Sequence, residues 1–217
     1  LLRWTVDGTS VPPDEFIPIA EESGVIVPIG DWVFASACRQ IVAWRAQGLR
    51  VPAVSVNVSA RQLAEPDLAG HFAGIARDLG VDPADLTLEV TESQLLDARM
   101  LPSVEALRKA GFSLSMDDFG TGQSSLVKLK MLPVSELKID KAFVRDIATD
   151  PGDREICATI HALAGVLGIE VVAEGVEDAK SLTALLNMGC DHAQGYLIAK
   201  PLDAAAATAW MAAHKDT

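Results

Sequence analysis

The chain has 217 residues, of which 49% are hydrophobic, so it is long and apolar enough to form a folded core. Its net charge of −12 argues against a nucleic acid polymer as partner, because affinity there rests on Lys and Arg neutralising phosphates. The three cysteines are far apart and form no CxxC pair, which predicts a cytoplasmic protein. No apolar run approaches the roughly 20 residues that span a bilayer, so no membrane segment is predicted in this chain, although its parent protein could be membrane-anchored.

Short β-rich runs alternate with longer helical patterns from one end of the chain to the other. The chain opens on Leu1–Trp4, which reads as the end of an apolar strand. The strands that follow are predicted, mostly from nearly continuous apolar runs, at Ala53–Val58, Leu86–Thr91, Phe112–Met116, Glu136–Ile139, Ile169–Ala173 and Ala193–Ile198. Helices are predicted to begin at Pro12 and at Asp31 and then to cover Ser59–Leu79, Ala98–Ala110, Arg154–Leu167, Glu177–Met188 and Ala204–Ala213, most of them ending at a glycine.

This alternation of strands and helices predicts a parallel sheet. Six internal strands and the stub at Leu1 make seven units, which indicates an α/β fold of the modified TIM (β/α)8 barrel type whose N-terminal strand or strands are missing from this chain. An open doubly wound sheet is the alternative, but such a sheet normally binds a nucleotide at a glycine-rich first turn. Neither GxGxxG nor GxxxxGK[ST] is present.

Polar residues stand at the same place in successive units, where the predicted strands end. The carboxyl ends of barrel strands meet at one mouth, and such enzymes carry out their chemistry there. Carboxylate and amide oxygens without His or Cys are typical ligands of Mg²⁺ or Mn²⁺, so the pattern predicts a metal site with a lysine beside it. The residues are Asn57, Glu89, Glu92, Asp117, Asp118, Lys138, Asp140, Glu174 and Glu177, with Gln194 in the last strand.

The adjacent carboxylates Asp117 and Asp118 are the most unusual of these positions. They repel each other unless a cation lies between them or water surrounds them, and a glycine-rich loop follows at once. Taken singly, an acid at a strand end is more commonly a helix cap or a solvated loop residue, and Asp140 and Glu177 stand where helices are predicted to begin. The triplet Asp118–Gly120 also occurs in protein kinases, but no HRD or VAIK motif accompanies it.

Taken together, these motifs make the chain resemble the EAL family of cyclic di-GMP phosphodiesterases over essentially its whole length. The resemblance implies a modified (β/α)8 barrel with one antiparallel strand, and a single EAL domain over residues 1–217 that is incomplete at its N-terminus. Leu1 resembles the leucine of the Glu-Ala-Leu motif. The matching runs are Leu1–Trp4, Pro13–Pro18, Ala20–Gly24, Asn57–Ala60, Glu89–Ser93, Asp117–Gly122, Leu137–Asp140, Ala173–Glu177 and Gln194–Tyr196.

The resemblance also implies a metal-ligand set made of oxygen donors. Asn57, Glu89 and Asp117 would bind one ion of Mg²⁺ or Mn²⁺. Asp117 would bridge to a second ion, which Asp118 would also bind. Glu174 would help to hold the metal and the attacking water.

The remaining implied roles concern the water, the substrate and a loop. Lys138 would orient the attacking water and offset charge on the phosphate, with Gln194 nearby. Arg3 would contact a substrate phosphate. Glu92 would anchor the mobile loop Asp118–Ser125, in which Gln123 stands where many relatives carry tyrosine.

The implied activity is hydrolysis of one phosphodiester of cyclic di-GMP to linear pGpG, with two metal ions activating a water. A homodimer and an upstream sensory or GGDEF domain in the parent protein are implied as well. A catalytically inactive EAL domain that senses cyclic di-GMP or contacts a protein partner is the alternative, although every legible motif position is filled. An enolase-type barrel enzyme would share acids at strand ends, but Asn57, Gln194 and the paired acids argue against it.

Overall fold

A computed structural model of the chain describes residues 2–120 and 132–214. Most of the predicted loop Asp118–Ser125, from position 121 onward, therefore lies outside the described residues, as does Leu1. The chain divides into two compact units. The first unit comprises Leu1–Leu88, Pro102–Phe112 and Asp203–Thr217, and the second comprises Glu89–Leu101 and Ser113–Leu202.

Helices and strands alternate along most of the chain, as predicted. In chain order they are strands β1 (Trp4–Val6) and β2 (Thr9–Val11), helices α1 (Pro13–Ser23) and α2 (Ile26–Ala46), strand β3 (Val54–Asn57), helices α3 (Ala60–Leu63) and α4 (Leu68–Asp78), a 3-10 turn (Pro83–Asp85), strand β4 (Leu86–Thr91), helices α5 (Glu92–Leu96) and α6 (Leu101–Lys109), strands β5 (Ser113–Phe119) and β6 (Glu136–Ile139), helices α7 (Lys141–Val144) and α8 (Pro151–Leu167), strand β7 (Glu170–Ala173), helix α9 (Ala179–Met188), strand β8 (His192–Ala193) and helix α10 (Ala204–Ala213).

The strands of the main sheet follow one another in chain order, β3-β4-β5-β6-β7-β8. The pairs β5–β6, β6–β7 and β7–β8 are parallel, and a helix lies between consecutive strands of the last two pairs. This is the predicted barrel-type α/β fold, with six of its strands among the described residues. The parallel order also places the carboxyl ends of these strands at one edge of the sheet.

The core of the first unit is built on aromatic rings. Phe34 of α2 stacks on Phe72 of α4 with ring centroids 4.1 Å apart, and Phe112 meets Phe34 edge-on at 5.8 Å. All three side chains are almost completely buried. The indole of Trp44 donates a 2.8 Å hydrogen bond to the hydroxyl of Thr208, which fastens α10 to α2.

By length and composition α2 could cross a membrane, in contrast to the prediction that the chain has no membrane segment. Its side chains Phe34, Cys38 and Ile41 are fully buried within the first unit. A helix with such a buried stripe is the ordinary core helix of a folded domain, and we interpret α2 in that way.

The second unit shows a regular alternation of side chains across its strands. Leu137 and Ile139 of β6 are fully buried on one face, so Lys138 between them belongs to the opposite face. Helix α8 packs against β6 and β7 and covers the apolar side. The alternation therefore leaves one polar face, on which the predicted site residues of these strands lie.

Several predicted boundaries were wrong. Asp31 does not cap a helix, because α2 begins at Ile26 and runs through it. The predicted helix Ser59–Leu79 is two helices, since Asp67 adopts a positive φ and caps the second. The last strand is only His192–Ala193, and Trp4 opens an exposed antiparallel hairpin with β2 in place of an apolar strand end.

Candidate active site

Four side chains of the second unit converge at the ends of its strands, and we call them the lysine cluster: Glu89, Asp117, Lys138 and Glu174. Glu89 lies on β4, Asp117 on β5 and Lys138 on β6, and Glu174 directly follows β7. The hydrogen-bonded register pairs Lys138 with Val172, so Glu174 stands two residues further along the neighbouring strand on the same face.

Ion pairs join the members of the lysine cluster directly. The Nζ atom of Lys138 lies 2.6 Å from Oε1 of Glu174 and 2.8 Å from Oε1 of Glu89. Oδ1 of Asp117 lies 3.6 Å from the same nitrogen. The two short distances are those of charge-assisted hydrogen bonds, and the third is a looser electrostatic contact.

The lysine cluster is shielded from solvent, which makes its electrostatics strong. The side chain of Lys138 is only 6% exposed. Burial by itself would lower the pKa of Lys138, but the carboxylates of Glu89 and Glu174 outweigh burial and raise that pKa above its usual value. Burial raises the pKa of Glu174, and the opposing effect of Lys138 does not cancel it. Among the described residues, the three carboxylates of the lysine cluster share the one ammonium of that cluster, so negative charge is in excess within it.

The paired acids Asp117 and Asp118 lie in a break of the β-ladder. The register between β5 and β6 shifts between Met116 and Phe119, which marks a bulge at these two residues. Asp118 has a φ of 57°, unusual for a residue other than glycine, and its N–H donates to Oδ1 of Asp117 at 3.0 Å. Burial, followed by the charges of Asp117 and Asp140, raises the pKa of Asp118.

Glu92 reaches the start of the predicted loop. Its side chain is almost completely buried at the first turn of α5, and its Oε2 accepts a 3.1 Å hydrogen bond from the N–H of Gly120. Gly120 has a φ of 98°, and a Cβ atom there would lie 3.1 Å from the ring of Phe143. The role of Glu92 as an anchor of the whole loop stays a prediction. The close approach of Gly120 to the ring of Phe143 was not predicted. The only signal for it in the sequence was the glycine itself.

Three further polar positions, Asp140, Glu177 and Gln194, do not belong to the lysine cluster. Asp140 caps α7, because its Oδ1 accepts from the N–H of Ala142 at 2.8 Å. Glu177 does not cap α9, since the cap is Asp178. The exposed Gln194 is fixed through its main chain, whose N–H donates to the carbonyl of Ala173 at 2.8 Å.

Asn57 and Arg3 belong to the first unit. Asn57 ends β3 and is exposed. The guanidinium of Arg3 donates to the carbonyl of Leu2 at 2.9 Å. Their assignments as a metal ligand and a phosphate contact stay predictions.

Ser115 is a buried polar residue that is not among the predicted site residues. It lies two residues before Asp117 on the same strand face and is fully buried. Within the described part of the chain its hydroxyl has no hydrogen-bond partner. The alternation along β5 would have been enough to find it.

The acids at the strand ends imply a metal ion. Whether they fit one depends on how their oxygen atoms are grouped and on their charge. Among residues 2–120 and 132–214, no three side chains of Asp, Glu, His or Cys are already grouped to hold a metal. The acids of the lysine cluster point at the Lys138 ammonium instead. Their chemistry still fits Mg²⁺ or Mn²⁺, because the donors are hard oxygens and carry more negative charge than one lysine offsets.

The chain matches a known protein family and a solved structure over most of its length. A family model described as "EAL domain" matches residues 1–201 of the chain. A structure of the PaMucR phosphodiesterase in complex with c-di-GMP superimposes with a TM-score of 0.90 at 40% sequence identity, covering 95% of this chain and 85% of that one.

Curated relatives have similar identities over nearly the whole chain. Cyclic di-GMP phosphodiesterase PdeR of Escherichia coli is 39% identical over 97% of the chain. The bifunctional diguanylate cyclase/cyclic di-GMP phosphodiesterase MucR of Pseudomonas aeruginosa is 41% identical over 94% of it. The chain spans only 32% of the first protein's length and 30% of the second's.

Proposed function

Since this chain belongs to the EAL domain family, we propose that it is a metal-dependent phosphodiesterase that hydrolyses cyclic di-GMP to linear pGpG. The observation that carries the proposal is the lysine cluster, in which a buried ammonium and three carboxylates meet at the ends of parallel strands. The names of PdeR and MucR support the substrate, as does the ligand in the PaMucR structure.

We assign the metal ligands to the oxygen donors of the predicted set. Asn57, Glu89, Asp117, Asp118 and Glu174 would hold Mg²⁺ or Mn²⁺, with two ions in all. Such ions, when bound, supply a water of lowered pKa and stabilise charge that develops at phosphorus. The excess of negative charge around Lys138 supports this assignment.

The protein's own side chains would divide the remaining tasks. Glu174 would help to hold the metal and the attacking water, from its position directly after β7. Lys138 keeps its positive charge at neutral pH, which offsets negative charge on the phosphate. We assign Arg3 and Gln194 to contacts with the substrate.

Glu92 would act on the loop that follows β5 rather than on the reacting atoms. By holding the N–H of Gly120 it fixes the segment that leaves the bulge at Asp117 and Asp118. A loop anchored in this way can couple substrate binding to the metal ligands.

We further propose that the domain acts in the cytoplasm as a homodimer within a longer signalling protein. The cysteines of the described residues, Cys38, Cys157 and Cys190, are all free thiols, which suits a reducing compartment. The small share of PdeR and MucR that the chain spans agrees with a sensory or GGDEF domain elsewhere in the parent.

Product analysis tests this function. The purified protein, freed of metal with a chelator, is incubated with cyclic di-GMP before and after addition of Mg²⁺ or Mn²⁺, and nucleotides are separated by chromatography. We expect pGpG only when metal is present, and a loss of at least about a hundredfold in Glu89→Ala, typical for removal of a catalytic group. Binding of cyclic di-GMP without any hydrolysis would contradict the enzyme assignment and favour the inactive sensor.

A further inference from the structure

Lys138 occupies a position that a metal ion would compete for. Its ammonium is hydrogen-bonded to one oxygen each of Glu89 and Glu174, and both of these acids belong to the proposed ligand set. Asp117, the third carboxylate of the lysine cluster, lies 3.6 Å away and also belongs to that set. One monovalent cation therefore already holds the groups that divalent ions would use.

We propose that Lys138 is an internal counter-ion: it holds Glu89 and Glu174 together in the metal-free protein, and metal ions displace its ammonium from these carboxylates on binding. The proposal rests on the proposed function, because the metal ions are those that the phosphodiesterase would use. It adds to that function a second task for Lys138, which is carried out before any substrate arrives.

The burial of the lysine cluster gives the first reason. Carboxylates at 9% exposure for Glu89 and 21% for Glu174 cannot be left without a positive charge except at a large cost in free energy. Without metal, the Lys138 ammonium lies within hydrogen-bonding distance of both acids. The folded, metal-free state therefore depends on it.

The second reason is competition for the same oxygens. A carboxylate oxygen that accepts a short hydrogen bond from an ammonium has fewer lone pairs left for a metal ion. The ammonium and a divalent ion also repel each other at these distances, and the repulsion is only weakly screened in a buried site. Lys138 must therefore weaken metal binding while it stabilises the metal-free fold.

Substitution of Lys138 separates this proposal from simpler roles. In Lys138→Met the metal-free protein should lose stability, whereas its affinity for metal should rise. A lysine with a purely structural role would lower both quantities, because a disturbed site binds metal less well. A lysine that only orients water would leave metal affinity unchanged.

Lys141→Met provides a matched control. Lys141 carries the same charge, is exposed at the first turn of α7 and lies three residues further along the chain. Its charge acts on Asp118 from a distance, so the control reports the general effect of removing one positive charge near the site.

The experiment is a calorimetric titration of Mn²⁺ into the chelator-treated protein and into both variants, without substrate. We expect the affinity of Lys138→Met to exceed that of the unaltered protein by at least about tenfold, which corresponds to ~1.4 kcal/mol of relieved competition. Lys141→Met should change the affinity by no more than about threefold, since an exposed charge is well screened. An equal change in the two variants, a weaker binding in Lys138→Met, or no binding by any of the three proteins would overturn the proposal.

A second measurement uses the unaltered protein and does not depend on the folding of a variant. Amine acetylation is followed by peptide mass spectrometry in the absence and presence of Mn²⁺. Release from Glu89 and Glu174 should expose the Lys138 side chain to the reagent, so its labelling should accelerate several-fold while that of Lys141 stays constant. Labelling of Lys138 that does not change, or slows, would contradict displacement.

These readouts can fail independently of the proposed function. If the protein hydrolyses cyclic di-GMP but Mn²⁺ leaves the labelling of Lys138 unchanged, only the counter-ion role is wrong. If Mn²⁺ releases Lys138 but cyclic di-GMP stays intact, only the phosphodiesterase assignment is wrong.

Discussion

The two units of the chain each contain a short ion pair, and the pairs differ in burial. In the first unit, the guanidinium of Arg45 donates two hydrogen bonds, of 2.8 and 2.5 Å, to the two carboxylate oxygens of Asp85. The side chain of Arg45 is 41% exposed. In the second unit, Lys138 holds Glu174 at 2.6 Å and Glu89 at 2.8 Å but is only 6% exposed. Similar distances therefore occur in two different electrostatic environments.

The pKa shifts show which force dominates in each environment. The hydrogen bond from Arg45 lowers the pKa of Asp85, so the partner outweighs burial at the surface. Burial raises the pKa of Glu174 although Lys138 is in contact with it. An exposed pair adds little to stability, whereas a buried charge that loses its partner is expensive. The second arrangement suits a site that must bind a further cation.

Removing the buried cation should have the largest effect on stability. In chelator-treated Lys138→Met, the carboxylates of the lysine cluster lose their counter-charge, and we expect the free energy of unfolding to fall by about 3–5 kcal/mol. Urea denaturation followed by circular dichroism measures this change. A loss below about 1 kcal/mol would put Lys138 in the same class as an exposed lysine.

A backbone change beside the lysine cluster should have an intermediate effect. Gly120→Ala places a side chain at a φ of 98° and 3.1 Å from the ring of Phe143, and we expect it to cost about 2–3 kcal/mol. Gly24→Ala in the first unit is the control, because its φ is 80° but nothing lies within 4 Å of the added atom. It should cost about 1 kcal/mol, for backbone strain alone. Equal losses in urea denaturation would show that the contact with Phe143 is unimportant.

Substitution of Arg45 in the exposed pair should lower stability less than substitution of Lys138 does. Arg45→Met should lower the free energy of unfolding by at most about 1 kcal/mol, and less at high salt, because the pair is partly solvated and screened. Thermal unfolding at low and high ionic strength measures the difference. A loss as large as that of Lys138→Met would contradict the distinction between the two environments.

The stability difference between the unaltered protein and Arg45→Met should depend on pH if the charge of the pair causes it. The folded-state pKa of Asp85 lies below its ordinary 3.8, so the pair contributes stability above pH 3.8 and loses it as the pH falls through the lower folded value. The melting temperatures of the unaltered protein and of Arg45→Met should therefore converge in acid. A difference that stays constant down to pH 2 would mean that Arg45 acts through packing rather than charge.

Sequence alone predicted two strands of the main sheet well, because local pattern decides structure there. Leu86–Thr91 and Glu136–Ile139 were predicted with the observed bounds, because both are short β-rich runs that stand between longer helical patterns. The place of Glu89 and Lys138 at the ends of barrel strands predicted that the two would converge at one mouth. Distances within the lysine cluster could not be predicted, since they depend on the register between strands that are far apart in sequence.

Other features depend on contacts that no local pattern reveals. The pair Gly30–Asp31 looks like a break followed by a cap, yet both residues lie inside α2. Gly30 is required there because the side chain of Gln62 occupies the space that a Cβ atom would take. The bulge at Asp117 and Asp118 is likewise a property of the β5–β6 pairing rather than of either residue.

The central claim, that the lysine cluster is the active centre, is tested most directly by comparing two cation substitutions in one assay. Initial rates of cyclic di-GMP hydrolysis are measured with saturating Mn²⁺ for Lys138→Met and Arg45→Met, after circular dichroism has shown that both are folded. We predict a loss of at least about a hundredfold for Lys138→Met and a rate within about twofold of the unaltered protein for Arg45→Met. Comparable rates for the two folded variants would contradict the account.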